Sequence, residues 1–373
     1  MTKLLVRNGL VVTPTEEWFT DILIEGNKIA HVGTCSKAEG CRVIDAEGAY
    51  VTPGLFDLQV NGSPECDFWT DLNVDKLSAL SRTFLREGVT SILPTLITGD
   101  LKQLCKNRDY LQTEFGFSTS SALKKDEQFI RMPGLHFEGP CLSPAKPGVH
   151  PPEHLQPLEL SILKTLVDKS CKLMTIAPEL DKSGACIKFL REAGVICSLG
   201  HSNANFEEAN EAFSRGVTLM THTFNALPPL HHREPGAVGA ALLNKSIDCC
   251  IIPDGLHVLP AMIDLVYRIK GLEKTVLVSD IAAVGTSQGT LVGSSLILSE
   301  GIRNMVNWGI CDFASAIRMA SYNPARLLNL ENEVGQLKPG AFADVVLWDR
   351  KSMQIKQVIF NGSLIGEKAA AAC

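Results

Sequence analysis

The sequence predicts an α/β protein, a (β/α)8 TIM-like barrel carrying a small β-sandwich formed from both chain termini. Three observations predict it. Eight short apolar runs recur between residues 55 and 279, with amphipathic segments between them, the alternation of a parallel barrel. Both ends of the 373-residue chain hold strand-like runs instead. No early strand is followed by the glycine fingerprint of an open, doubly wound dinucleotide-binding sheet, which weighs against that alternative.

At the start of the chain, strands are expected at Leu4–Val6, Leu10–Val12, Asp21–Ile24 and Lys28–Val32, split by the turn pairs Asn8-Gly9 and Gly26-Asn27. At its end, Ala343–Trp348 and Ile355–Phe360 are strand-like, and Asn361-Gly362 supplies another turn. Neither end is long enough for a good core of its own, so the two are expected to pair. This places residues 1–52 and 333–373 in the small domain and residues 53–332 in the barrel. Barrel strands are expected at Leu55–Val60, Thr90–Pro94, Gly134–Glu138, Leu173–Ala177, Val195–Gly200, Val217–Thr221, Asp248–Ile252 and Thr275–Ser279. Helices are expected at Leu77–Glu87, Leu158–Asp168, Ser183–Ala193, Phe206–Arg215, Pro260–Gly271 and Asp312–Ala320. Before Phe206, Asn205 with Glu208 three residues on has the form of a capping box.

Bulk properties exclude several classes. A net charge of −6 argues against a nucleic-acid partner, which needs a basic surface. No apolar run reaches the ~18–20 residues of a membrane span, and Met1–Asn8 lacks the features of a secretion signal. Twelve cysteines occur without a Cys-x-x-Cys pair, the usage of reduced thiols in a cytoplasmic protein.

The informative polar residues stand where apolar runs end. His201 follows Val195–Leu199, and His222 follows Val217–Thr221. Glu138 ends the third strand, Asp254 and His257 follow the seventh, and Asp280 follows the eighth. In a barrel these positions share the catalytic rim. One carboxylate and two imidazoles suit Zn2+ and leave a coordination position open. Asp280 is placed to accept and return a proton, although an aspartate there equally suits a helix N-cap. His136 lies inside the third strand and reads as a supporting or core group. His231 and His232 read as polar loop residues. Arg233, a loop cation close to this rim, has the fork geometry to clamp a phosphate or carboxylate.

The motifs Pro53–Gly62, Gly134–Pro140, Gly200–Ser202, Thr221–Ala226, Arg233–Gly236, Asp254–His257 and Val278–Asp280 together resemble those of the N-acetylglucosamine-6-phosphate deacetylases, within the amidohydrolase superfamily. The resemblance spans essentially the whole chain. Where many amidohydrolases carry His-x-His, this chain reads Gln59-Val60-Asn61, which is similar to the single-metal branch. The resemblance implies one divalent metal ion per subunit, Zn2+ foremost with Fe2+ or Co2+ also suited, held by Glu138, His201 and His222. It implies Asp280 as general base and acid, and His150 as the group that polarises the acetyl carbonyl. Substrate contacts are implied at Val149, His150, Asn225, Ala226, Arg233 and His257. They extend to Asp254, Gly255 and Leu256, and to Leu291, Val292, Gly293 and Ser294. The implied reaction releases acetate from N-acetyl-D-glucosamine 6-phosphate, a small-molecule sugar phosphate, in a homodimer with Arg233 near the interface. Between Asp280 and Gly293 the chain is shorter than the family pattern, which bears on closure near Ser294. Another amidohydrolase chemistry, or a non-catalytic scaffold, are the competing readings.

Overall fold

The run Leu55–Val60 is buried at all six positions, as a strand covered on both faces requires. It is the first of eight parallel barrel strands in a computed structural model, which describes residues 3–35, 40–64, 66–69, 72–117, 129–283, 286–287, 290–291 and 293–366. The others are Val89–Ile97, Leu135–Glu138, Cys171–Ile176, Ile196–Leu199, Leu219–Met220, Asp248–Ile251 and Thr275–Leu277. They pair in sequence order. A parallel bridge from Val60 to Ile281, with the Asn61 amide donating to the Ile281 carbonyl at 2.8 Å, joins the first strand to the segment after the eighth. Phe56, Leu58, Leu93, Leu173, Leu219, Cys250, Val276 and Val278 pack together as one buried cluster.

Local chemistry sets the helix boundaries. Asn205 and Glu208 form the expected reciprocal cap of Phe206–Arg215, satisfying two otherwise orphaned amide donors. Asn73 caps Val74–Arg86, and Asp312 caps Phe313–Met319. Among the described residues, four helices fall outside the periodicity reading: Leu101–Phe115, Gly236–Leu243, Leu298–Asn307 and Tyr322–Leu327. In Gly236–Leu243, only Leu243 is not buried, so the segment has no polar stripe to betray its period. Among the described residues no helix is long and apolar enough to cross a membrane.

Strands from both ends of the chain form one second sheet. Lys3–Val12 lies between Glu17–Glu25 and Tyr50–Pro53, and Tyr50–Pro53 pairs antiparallel with Val345–Trp348, followed by Ile355–Phe360. Its own core includes Val11, Ile22, Ile24, Val51, Val345 and Ile359. A buried ion pair fastens it to the barrel. Arg131, just before the third barrel strand, meets Asp344 at 2.9 Å with side-chain exposures of 0% and 5%, and its guanidinium stacks over Phe342 at 4.0 Å.

Candidate active site

Three side chains from three strand ends converge. His222 Nε2 lies 2.9 Å from Glu138 Oε1, His201 Nε2 lies 3.3 Å from the same oxygen, and the two Nε2 atoms are 3.1 Å apart. All three residues are buried. Two imidazole nitrogens facing each other and one carboxylate oxygen cannot all be satisfied by one shared proton. The spacing matches donors around a tetrahedral Zn2+, whose ~2.0–2.1 Å bonds separate its ligands by roughly 3.3 Å. His201 Nδ1 donates to the Lys146 carbonyl at 3.1 Å, which leaves its Nε2 lone pair free for coordination. Gln59 Nε2 donates to Glu138 Oε1 at 3.1 Å and steadies the carboxylate. The residues present therefore fit a divalent cation.

The backbone at this rim is strained. His201, His222 and Asp280 have φ of 46°, 26° and 51°, left-handed values uncommon outside glycine and often found where function fixes the geometry. Two glycines are needed at close approaches. A Cβ on Gly148 (φ +59°) would lie 2.9 Å from His201 Cε1, and one on Gly293 (φ +65°) would lie 2.6 Å from the Asp280 carbonyl oxygen.

Asp280 faces the same cavity as the cluster, which has a volume of about 480 Å³. It begins no helix, and its Oδ1 accepts a hydrogen bond from Asn61 Nδ2 at 2.7 Å. Burial, reinforced by the Glu138 charge, pushes its carboxyl up to about 7 against the opposing pull of His222, Asn61 and His257. A cation in the cluster would pull it down again. Glu138 stays well below its usual range: burial opposes ionisation, but the adjacent His201 and His222 side chains outweigh it. His136 is buried between Thr95 and Thr175, 3.3 and 2.8 Å away, and burial pushes it down to about 4.

The sequence-derived contact residues divide into two groups. Val149, His150, Asn225, Ala226, His257 and Gly293 line the cavity, together with Trp69, Ile97 and Ala282, which sequence reasoning missed. Trp69 and Ile97 had no motif to mark them, although Ile97 ends the second strand. Others stand back from it. Both Asp254 oxygens are taken by their own loop: Oδ1 accepts the Leu256 and His257 amides at 2.8 Å, and Oδ2 meets His257 Nδ1 at 2.6 Å. Leu256 is 73% exposed, and Gly255 takes a left-handed turn (φ +73°) against Trp308. Ser294 donates to the Ser279 carbonyl at 2.5 Å, and its amide to the Asp280 carbonyl at 2.8 Å. Leu291 is described by backbone alone, in the short ladder Thr290–Leu291 with Thr286–Ser287, and Val292 lies outside the described residues. Arg233 is exposed, beside exposed His231 and His232.

A barrel whose strand ends gather one carboxylate, two imidazoles and a facing aspartate defines a class of hydrolase. The amidohydrolase family model matches residues 50–365, and the chain belongs to that family. Within it, the chain groups with the N-acetylglucosamine-6-phosphate deacetylases. It is 31% identical to the N-acetylglucosamine-6-phosphate deacetylase of Lysinibacillus sphaericus, with 97% of each chain covered. It is 32% identical to the N-acetylgalactosamine-6-phosphate deacetylase of Escherichia coli, over 86% of this chain and 89% of that one. Among solved structures, it resembles a point mutant of the Mycobacterium smegmatis N-acetyl-D-glucosamine-6-phosphate deacetylase, in complex with N-acetyl-D-glucosamine 6-phosphate. That likeness has a TM-score of 0.86 at 26% identity and covers 98% of this chain and 100% of the other.

Proposed function

We propose that this chain hydrolyses the N-acetyl amide of N-acetyl-D-glucosamine 6-phosphate to D-glucosamine 6-phosphate and acetate. The observation that carries the reading is the convergence of Glu138, His201 and His222 in one cavity with Asp280. One divalent ion per chain, Zn2+ foremost and Fe2+ or Co2+ as alternatives, is held by those three residues and supplies Lewis-acid polarisation and a more acidic water. Asp280 takes the proton from the attacking water and returns it to the leaving amine, a shuttle suited to a buried carboxylate that faces the cavity. His150 steadies the developing charge on the acyl oxygen. Asn225, the Ala226 backbone and His257 orient the sugar. Val149 and Gly293 shape the wall, and Asp254, with Gly255 and Leu256 in its loop, holds His257. Ser294 braces the backbone of Asp280, and Leu291 and Val292 belong to the neighbouring segment.

The substrate phosphate needs a cation, and the described cavity lining holds no lysine or arginine. Arg233, exposed on its loop, serves this role across the interface of a homodimer, each copy completing the other's site. The cytoplasm is the compartment that fits a sugar-phosphate substrate. The test is acetate release from N-acetylglucosamine 6-phosphate, with metal content measured on the same sample. The unphosphorylated sugar and the 4-epimeric N-acetylgalactosamine 6-phosphate serve as comparisons. Turnover of the phosphorylated glucosamine derivative well above both supports the reading. Equal turnover of the unphosphorylated sugar, or none of any, rejects it.

A further inference from the structure

His150 sits beside the metal cluster without belonging to the tight set. Its ring packs edge-on against His201, with centroids 4.3 Å apart. Ligand atoms of Glu138, His150 and His201 all lie within 4.8 Å of one another, so distance alone would admit His150 as an additional ligand. Its hydrogen bonds decide otherwise. The backbone amide of Thr98 donates to His150 Nδ1 at 3.3 Å, and Thr98 Oγ1 lies 2.8 Å from the same nitrogen. An amide N–H can only donate, so Nδ1 must accept. The neutral ring then carries its proton on Nε2.

We infer that Thr98 is a positioning residue: it fixes the His150 tautomer so that Nε2–H is presented to the acyl oxygen, and it thereby bars the ring from the metal. A protonated imidazole nitrogen has no lone pair to give a cation. The ring lines the cavity, so the Nε2 donor is open to substrate. Thr98 is itself held in place. It directly follows the second barrel strand, and its single hydroxyl proton goes to the nearer acceptor, His150 Nδ1 at 2.8 Å, rather than to the Glu138 carbonyl oxygen at 3.4 Å.

His257 is held in the opposite sense. Its Nδ1 faces the carboxylate Oδ2 of Asp254 at 2.6 Å, an acceptor, so that nitrogen carries a proton. His150 and His257 are thereby fixed through chemically opposite partners.

This inference rests on the proposed role of His150, and its test separates the two. Long-range proton–nitrogen spectra of 15N-histidine-labelled protein, with His150 assigned by the signals missing from His150→Gln, report the tautomer directly, with or without metal. The expected result is a pyridine-like Nδ1 and a pyrrole-like Nε2 in the native chain. Thr98→Val removes the hydroxyl but keeps the amide donor, so the pattern should persist while the less firmly oriented ring lowers kcat about tenfold with little change in KM, and Thr98→Ser should restore kcat. A pyrrole-like Nδ1 in the native chain would overturn the inference, as would a Thr98→Val protein with unchanged kcat. The expected spectrum in a protein that leaves the sugar phosphate intact would instead overturn the proposed substrate and leave the tautomer standing.

Discussion

Asn61 Nδ2 donates to Asp280 Oδ1 at 2.7 Å, so an amide that follows the first barrel strand holds the carboxylate that follows the eighth. The two residues are 219 positions apart in sequence. The bond points one oxygen at the amide and leaves the other for a water in the cavity. Next to it, Gln59 treats Glu138 in the same way. The Gln59-Val60-Asn61 tripeptide thus orients two carboxylates with neutral donors.

Replacing Asp280 by Asn should leave the metal in place and reduce kcat by about 10³-fold, within the range of a lost general acid–base. Asn61→Ala keeps the carboxylate but frees it to turn, and should cost about tenfold. Steady-state kinetics alongside elemental analysis checks both. Near-native kcat in Asp280→Asn would remove this residue from proton transfer.

Removing the cation should abolish turnover and lower thermal stability, because it leaves three buried polar donors crowded within 3.3 Å of one another. Chelator treatment followed by a Zn2+, Fe2+ or Co2+ titration is the measurement, and recovery should saturate at one ion per chain. Glu138→Ala should not recover at any concentration that restores the native protein. Saturation at two ions would contradict a single site.

Much of this site is legible in the chain because a barrel turns sequence order into rim position. Glu138, His201, His222 and Asp280 each follow an apolar run, and that run alone places them. His150 and Trp69 lie in loops after the third and first strands, and no periodicity reports where a loop folds back. Thr98 is marked by nothing local, since its partner is 52 residues away. The Gly236–Leu243 helix was hidden by its even burial. The reach of Arg131 to Asp344 spans 213 residues and joins two sheets whose contact no window of sequence can show.

That ion pair makes a prediction about stability. Asp344→Ala leaves the Arg131 guanidinium, fully buried, without its carboxylate, and removes the acceptor of the Asn361 amide at 2.9 Å. The cost should be about 3–5 kcal/mol. Changing both members to apolar residues of similar volume should recover most of it. Urea midpoints of the single and double variants decide. A single variant as stable as the native chain would show that the pair does not fasten the terminal sheet to the barrel.

The barrel interior carries a further buried carboxylate with a different signature. Asp57 is fully buried in the first strand. It accepts hydrogen bonds from the Ser279 and Gln59 amides at 3.2 Å. Burial pushes it up from 3.8 to about 6, more than these bonds and the Ser279 side chain offset. Between those two values the folded chain binds more protons than the unfolded one, so this group makes stability fall as pH rises through roughly 4 to 6. The loss is on the order of 3 kcal/mol, at 1.36 kcal/mol per pKa unit. Asp57→Asn keeps an acceptor for both amides and removes the titration. The difference in unfolding free energy between the variant and the native chain should therefore shift in favour of the variant as pH rises from 4 to 7, and then level off. Denaturation at a series of pH values, with the two proteins compared at each, measures this. Parallel profiles across that window would mean that Asp57 keeps an ordinary acidity in the folded barrel.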